Sequence, residues 1–149
     1  MFVTTHTAAG AVVGASRRLL PAFAAGVFSH LALDAVPHWG CQDPNRFLRV
    51  ARVDGTAGLA VMGLLAAAAP ADRRRAVVAG MVGGVLLDMD KPFKELTGRQ
   101  LWPSWLHRVH VRVQREHPRH LRRELAFGAL TIATATRLLL GHRRAVFVT

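Results

Sequence analysis

Apolar residues in this chain fall into blocks separated by short arginine-rich or proline-containing breaks. Their spacing is helical, and strand-type alternation is nearly absent. The first block covers about residues 7–15 and ends at Arg17-Arg18. Pro21 suits the first turn of a second helix, expected over about 21–36. Pro37 ends it by disfavouring helical geometry in the preceding residue. A loop is expected over 38–52. Asp54 then caps or opens a third helix reaching about residue 69, and Pro70-Ala71-Asp72 turns the chain. Residues 76–87 predict a fourth helix ending at Asp88. Pro92, Gly98 and Pro103 mark 89–103 as loop. Trp105, Leu106, Val109 and Val113 give 103–116 the pattern of a short amphipathic helix, which Pro118 breaks. A last helix is expected over 121–140, closed by Gly141. The expected fold is all-α: one domain over 1–149, a bundle of about five helices plus the short amphipathic one.

The blocks sit awkwardly between two environments. A membrane span needs about 20 apolar residues. The third block offers about 16, roughly 24 Å at 1.5 Å per residue. The blocks are nonetheless too apolar all round for surface helices. Trp39, Trp102 and Trp105 lie at block ends, where an interfacial belt would place them. Gly10 and Gly14 form a G-x-x-x-G spacing that permits close helix approach. These features favour a multi-pass membrane bundle over a soluble one. No basic region precedes the first apolar block, so no cleavable signal is expected.

Composition sharpens this. Just over half of the residues are apolar (51%), yet the formal net charge is +11, nearly all from arginine. That balance fits a membrane surface, a phosphate-bearing substrate or nucleic acid. The basic run 108–123 lacks the interleaved aromatics of a nucleic-acid module, which argues against that partner. Cys41 is the sole cysteine, so there is no intramolecular disulfide framework.

The chemistry lies in histidine and aspartate. His30, Asp34 and His38 are spaced four apart and stack along one helix face. Asp88 and Asp90 close the fourth helix, where the macrodipole disfavours carboxylates unless a cation or Lys91 offsets them. His107 and His110 share a face of the amphipathic segment. If the helices alternate up and down, His6, Asp54 and all of these residues come to one end of the bundle. Imidazole plus carboxylate is a ligand set for zinc, manganese or iron, and a carboxylate pair also suits magnesium. The candidate ligands are therefore His6, His30, Asp34, His38, Asp88, His107 and His110. Asp90 or Asp54 would act as general base or would orient a histidine, and Lys91, Arg99 and Arg108 would clamp a phosphate. The competing reading is a buried Asp–His hydrogen-bond network that only fixes packing in a membrane scaffold or lipid-binding protein. Lys and Arg are somewhat more frequent at the histidine end, which hints that this end is cytoplasmic.

Thr5-His6, the run Ser29-His30-Leu31-Ala32-Leu33-Asp34-Ala35-Val36-Pro37-His38-Trp39, Leu87-Asp88-Met89-Asp90 and His107-Arg108-Val109-His110 together carry a resemblance. The chain resembles the predicted membrane-bound metal-dependent hydrolases, a helical family with motif-level similarity to zinc-dependent phospholipase C proteins. The resemblance spans about residues 4–125. It implies an α-helical membrane protein with a divalent metal centre, zinc by the likeness to the phospholipases, with ligands among the residues above, and hydrolysis of a phosphoester or diphosphate by metal-activated water. The chain departs from the family pattern at Leu87, where a proline is common, and in the spacing of the His107–His110 element.

Overall fold

The computed structural model describes residues 1–15, 18–41 and 43–146, with side chains through His142. Arg17 and the side chains of Arg143 and Arg144 therefore lie outside the described residues. Seven α-helices follow in order among those described: α1 (Val3–Val13), α2 (Leu19–Asp34), α3 (Pro44–Ala68), α4 (Arg74–Val85), α5 (Asp90–Thr97), α6 (Ser104–Val113) and α7 (Leu121–Val146). A 3₁₀ turn, Leu86–Met89, joins α4 to α5, and another, Pro118–His120, leads into α7. The fold is all-α.

α1 is the central element. It packs on α2, α3, α4 and α7, and its Ala8 and Ala11 are wholly buried. Leu65 and Ala69 of the α3 end, Val77 and Met81 of α4, and Ala135 and Leu139 of α7 complete this core. The core is small-residue packing rather than a large aliphatic mass. Gly10 and Gly14 of α1 lie against Gly80 of α4, and Gly84 lies against the His6 carbonyl. The expected G-x-x-x-G spacing of α1 thus crosses a second one, Gly80 to Gly84, with backbone on backbone. Gly26 of α2 meets Gly80 and Gly84 from the other side. Without Cβ atoms, α1, α2 and α4 approach more closely than larger side chains permit.

Two expected loops are helical. α3 begins at Pro44, not near Asp54. Asp43 is its N-cap and accepts from the Asn45 and Arg46 amides at 3.0 and 3.2 Å. Proline after an aspartate cap is a favourable helix start. Residues 90–97 form α5, stopped by Gly98 at φ 71°; the left-handed conformation there suits glycine. At the C-terminal end, α7 continues through Gly141 rather than stopping at it.

The surface is strongly apolar on the outer helices. Leu20, Phe28, Leu59 and Leu130 are 77, 73, 71 and 64% exposed. Pro44–Ala68 and the stretch Pro118–His142 are long and apolar enough to cross a membrane, and α2 is a shorter apolar helix. Trp105 and Val109 of α6 also face outward, so the apolar face expected of that helix is not its buried one. His110 is.

Candidate metal centre

The helices alternate in direction, and one end of the bundle gathers the polar residues. His6, in the first turns of α1, is fully buried. So are His30 and Asp34 near the end of α2. Asp88 comes from the turn after α4 and His110 from α6; both are at least 95% buried, at 4 and 5% exposure. The glycine crossing sets the first part of this geometry. With α1 and α2 both held close to α4, the His6 and His30 rings stack with centroids 3.9 Å apart.

Asp34 is the hub. His6 Nε2 lies 3.2 Å from Asp34 Oδ1. His30 Nε2 and His110 Nε2 lie 3.2 and 3.1 Å from Asp34 Oδ2. The two Nε2 atoms of His30 and His110 are 2.9 Å apart. Asp88 stands across from them, with Oδ2 3.9 Å from His6 Nε2 and Oδ1 3.9 Å from His110 Nε2. Two sets of buried groups could each hold a metal ion: His6, His30 and Asp34, and His30, Asp88 and His110. Metal bonds of about 2.0–2.2 Å place adjacent ligand atoms roughly 3–3.5 Å apart, so the 3.1 and 3.2 Å separations around Asp34 fit ligand atoms that share an ion, and Asp88 stands slightly further out at 3.9 Å.

Outer hydrogen bonds orient the rings. His30 Nδ1 donates to the Gly84 carbonyl at 2.7 Å, which leaves Nε2 with its lone pair facing the cluster. His38 Nδ1 donates to the Val36 carbonyl at 2.8 Å. Its Nε2 is buried without a hydrogen-bond partner and lies 3.9 Å from Asp34 Oδ1. A buried imidazole nitrogen without a partner costs free energy unless something binds it. Pro37 does not take His38 away from the site. A short parallel bridge to Glu116 holds it there, with the His38 amide donating to the Arg115 carbonyl at 3.0 Å.

The other candidates occupy different places. Asp54 lies within α3, and its carboxylate caps α1. It accepts from the Val3 amide at 2.6 Å, the Thr4 amide at 3.2 Å and the Thr4 hydroxyl at 2.6 Å. That satisfies first-turn donors that no residue preceding α1 reaches, and puts negative charge at the positive end of the helix. Asp90 is buried beside the cluster. Its Oδ1 accepts from the Leu101 amide at 2.7 Å, and its Oδ2 lies 3.0 Å from Nδ1 of the half-exposed His107. His107 is thus paired with Asp90 and belongs to neither metal-holding group. Lys91 Nζ lies 2.8 Å from Asp88 Oδ1. Burial works against the Asp88 charge, but the Lys91 ammonium and the nearby histidines hold its carboxyl well below the usual range. Arg99 and Arg108 are exposed.

Sequence reasoning did not single out three groups. Glu124, buried in the first turn of α7, accepts from the Phe2 amide and, at 2.6 Å, from the Trp39 amide. Gln114 donates to Asp34 Oδ2 at 3.2 Å. The Met1 amino group lies 2.9 Å from Asp34 Oδ1. Glu124 sits in an arginine-rich stretch, and its local signal is His120 four residues before it.

Comparison with known proteins gives no matching family model, no matching curated protein and no matching solved structure.

Proposed function

We propose that this is a multi-pass membrane protein that binds a divalent cation between His6, His30, Asp34, Asp88 and His110, with His38 beside them, and that it hydrolyses a phosphoester or diphosphate. The convergence on Asp34 carries the reading. Buried nitrogen and carboxylate ligand atoms from α1, α2, α6 and the turn after α4 meet at separations suited to one ion or a close pair. So dense a set of ionisable groups in an apolar bundle is costly without a cation to bind. Zinc suits the mixed imidazole and carboxylate set best, with manganese or iron next. A bound cation would polarise a phosphoryl oxygen and acidify a water molecule. Gln114 helps to hold the Asp34 carboxylate, Asp90 holds His107 outside the centre, and Lys91 supplies positive charge at its edge. The hydrolytic part of the proposal rests on the motif resemblance. The metal part rests on the geometry.

One observation favours the structural alternative. The Met1 amino group and Gln114 also bond Asp34, so its carboxylate is well satisfied by protein groups. Elemental analysis of protein purified in mild detergent without chelator separates the two. Metal near one equivalent or more per chain, lost in the His30→Ala/Asp34→Ala variant, supports the centre and justifies a phosphoester screen. Absence of metal from wild-type protein, with the variant only less stable, would leave a packing network.

A further inference from the structure

Beside the histidine cluster lies a cavity of about 520 Å³ that the proposed chemistry does not use. It lies between the start of α1, the first two-thirds of α3, and the junction of α4 with α5. Val3, Phe47, Leu48, Leu59, Met62 and Val85 give it apolar walls. Its volume is in the range of small-molecule sites, about 300–1,000 Å³. It is elongated: the lining runs along α3 from Phe47 to Met62, roughly 22 Å at 1.5 Å per residue.

Its two sides differ. On the outer side, Leu59 belongs to the exposed apolar surface of α3, one of the two helices able to cross a membrane. The cavity therefore adjoins the face that hydrocarbon would cover. On the inner side are Asp88 and Lys91, the acid of the metal-holding group and the cation paired with it. Of the other polar groups in the lining, the buried Thr7 hydroxyl has no hydrogen-bond partner, while two charged groups are engaged. Asp54 caps α1, and Arg52 bonds Glu95, tying α3 to α5. A ligand of this shape needs a long apolar part toward the membrane side and an anionic end toward Lys91.

We propose that this cavity binds the hydrocarbon chain of a single-tailed anionic amphiphile, an alkyl or prenyl phosphate in chemical class, with the phosphate at Lys91 beside the histidine cluster. Hydrocarbon is the occupant that the walls match, because a polar ligand would leave its own groups unpaired against them. Lys91 supplies the complementary charge for a phosphate. The fate of the head group rests on the reading of the cluster as a phosphoester-processing centre. The seat for the tail does not.

Gly55 provides a clean test. It lines the cavity, and a Cβ placed there meets nothing within 4 Å, so Gly55→Leu starts a side chain at a position with open space around its Cβ. Wild-type and variant protein are placed in nanodiscs of zwitterionic phosphatidylcholine. Binding of hexadecyl phosphate and of hexyl phosphate is then measured, with bound metal assayed on the same samples. Partition of the amphiphile into the disc is common to both proteins and cancels. The expected result is a loss of at least tenfold in hexadecyl phosphate affinity in Gly55→Leu, with hexyl phosphate affinity and metal content unchanged. Equal hexadecyl phosphate affinity in the two proteins would overturn the proposal, and so would an equal loss for both chain lengths. If Gly55→Leu does not fold, Met62→Trp enlarges a lining side chain of the same cavity about two turns further along and is held to the same outcomes. Wild-type protein without metal, combined with the chain-length-selective loss, would end the phosphoester reading and leave the tail site standing.

Discussion

At the scale of single residues, the Asp88–Lys91 pair invites the sharpest prediction. Asp88 is buried and its neighbour alone brings an ammonium within 2.8 Å. Lys91→Met leaves that carboxylate without its cation, and in metal-free protein the expected loss of stability is about 1–3 kcal/mol at neutral pH. The sign of the pH dependence follows from the depressed carboxyl. In wild-type protein Asp88 contributes stability above the unfolded carboxyl value of about 3.9, and loses it as pH falls through the lower folded value. In the variant, without the ammonium, the folded value lies higher than in the wild type. The gap between the two proteins should be widest near neutrality, begin to narrow as the variant's carboxyl protonates, and close in strong acid. Denaturant midpoints of both proteins across that range test this; a gap that widens in acid would refute the pairing. The cluster residues were legible because His30 and Asp34 keep a helical interval that survives folding, whereas α2 ends at Asp34 and His38 reaches the site from an extended bridge. Glu124 and Gln114 also stand four residues after a histidine, His120 and His110. Their roles depend on where α7 and the end of α6 dock, and no local pattern encodes that.

At the scale of elements, the glycine crossing carries the site. A Cβ on Gly80 would collide with the Gly10 carbonyl, and one on Gly84 would press on the His6 carbonyl. Both partners are backbone, so relief requires α1 and α4 to separate. Gly80→Ala is therefore expected to cost about 1–3 kcal/mol or more through overpacking. It should also lower metal content, although Gly80 contributes no ligand. Gly63→Ala is the control: nothing lies within 4 Å of its added Cβ. Elemental analysis and thermal midpoints of the two variants decide it, and full metal retention in Gly80→Ala would show that the crossing does not set the cluster. The element boundaries show what the sequence concealed. The start of α3 was masked by Arg46, Arg49 and Arg52, which interrupt the apolar pattern, although Asp43-Pro44 is a cap signal in itself. α5 was masked by Pro92, yet a proline in the first helical turn has no lost hydrogen bond to account for. Asp54 looked like a cap because it precedes an apolar run. It is a cap, but of another helix.

At the scale of the whole molecule, the alternating topology could be read from the chain because short breaks force neighbouring helices antiparallel. The membrane was harder to read. The apolar run of α3 reads as about 16 residues because the basic residues that open the helix mask its 25-residue length. Leu20, Phe28, Leu59 and Leu130 are all exposed, and two helices are long and apolar enough to cross a membrane. Membranes from expressing cells should retain the protein through alkaline carbonate washing and release it only with detergent. Recovery in the carbonate supernatant would mean that these faces are covered by something other than lipid.

The contact of α1 with α4 through bare backbone has a consequence for how this protein tolerates change. The ligand set can be altered without touching a ligand, because the positions that fix it carry no side chain to vary. A saturation scan should therefore find Gly10, Gly80 and Gly84 as restrictive as His30 or Asp34, while Leu20, Phe28 and Leu64 accept almost any apolar replacement. Drift in such a chain would run freely over its outer shell and stall at its most featureless residues.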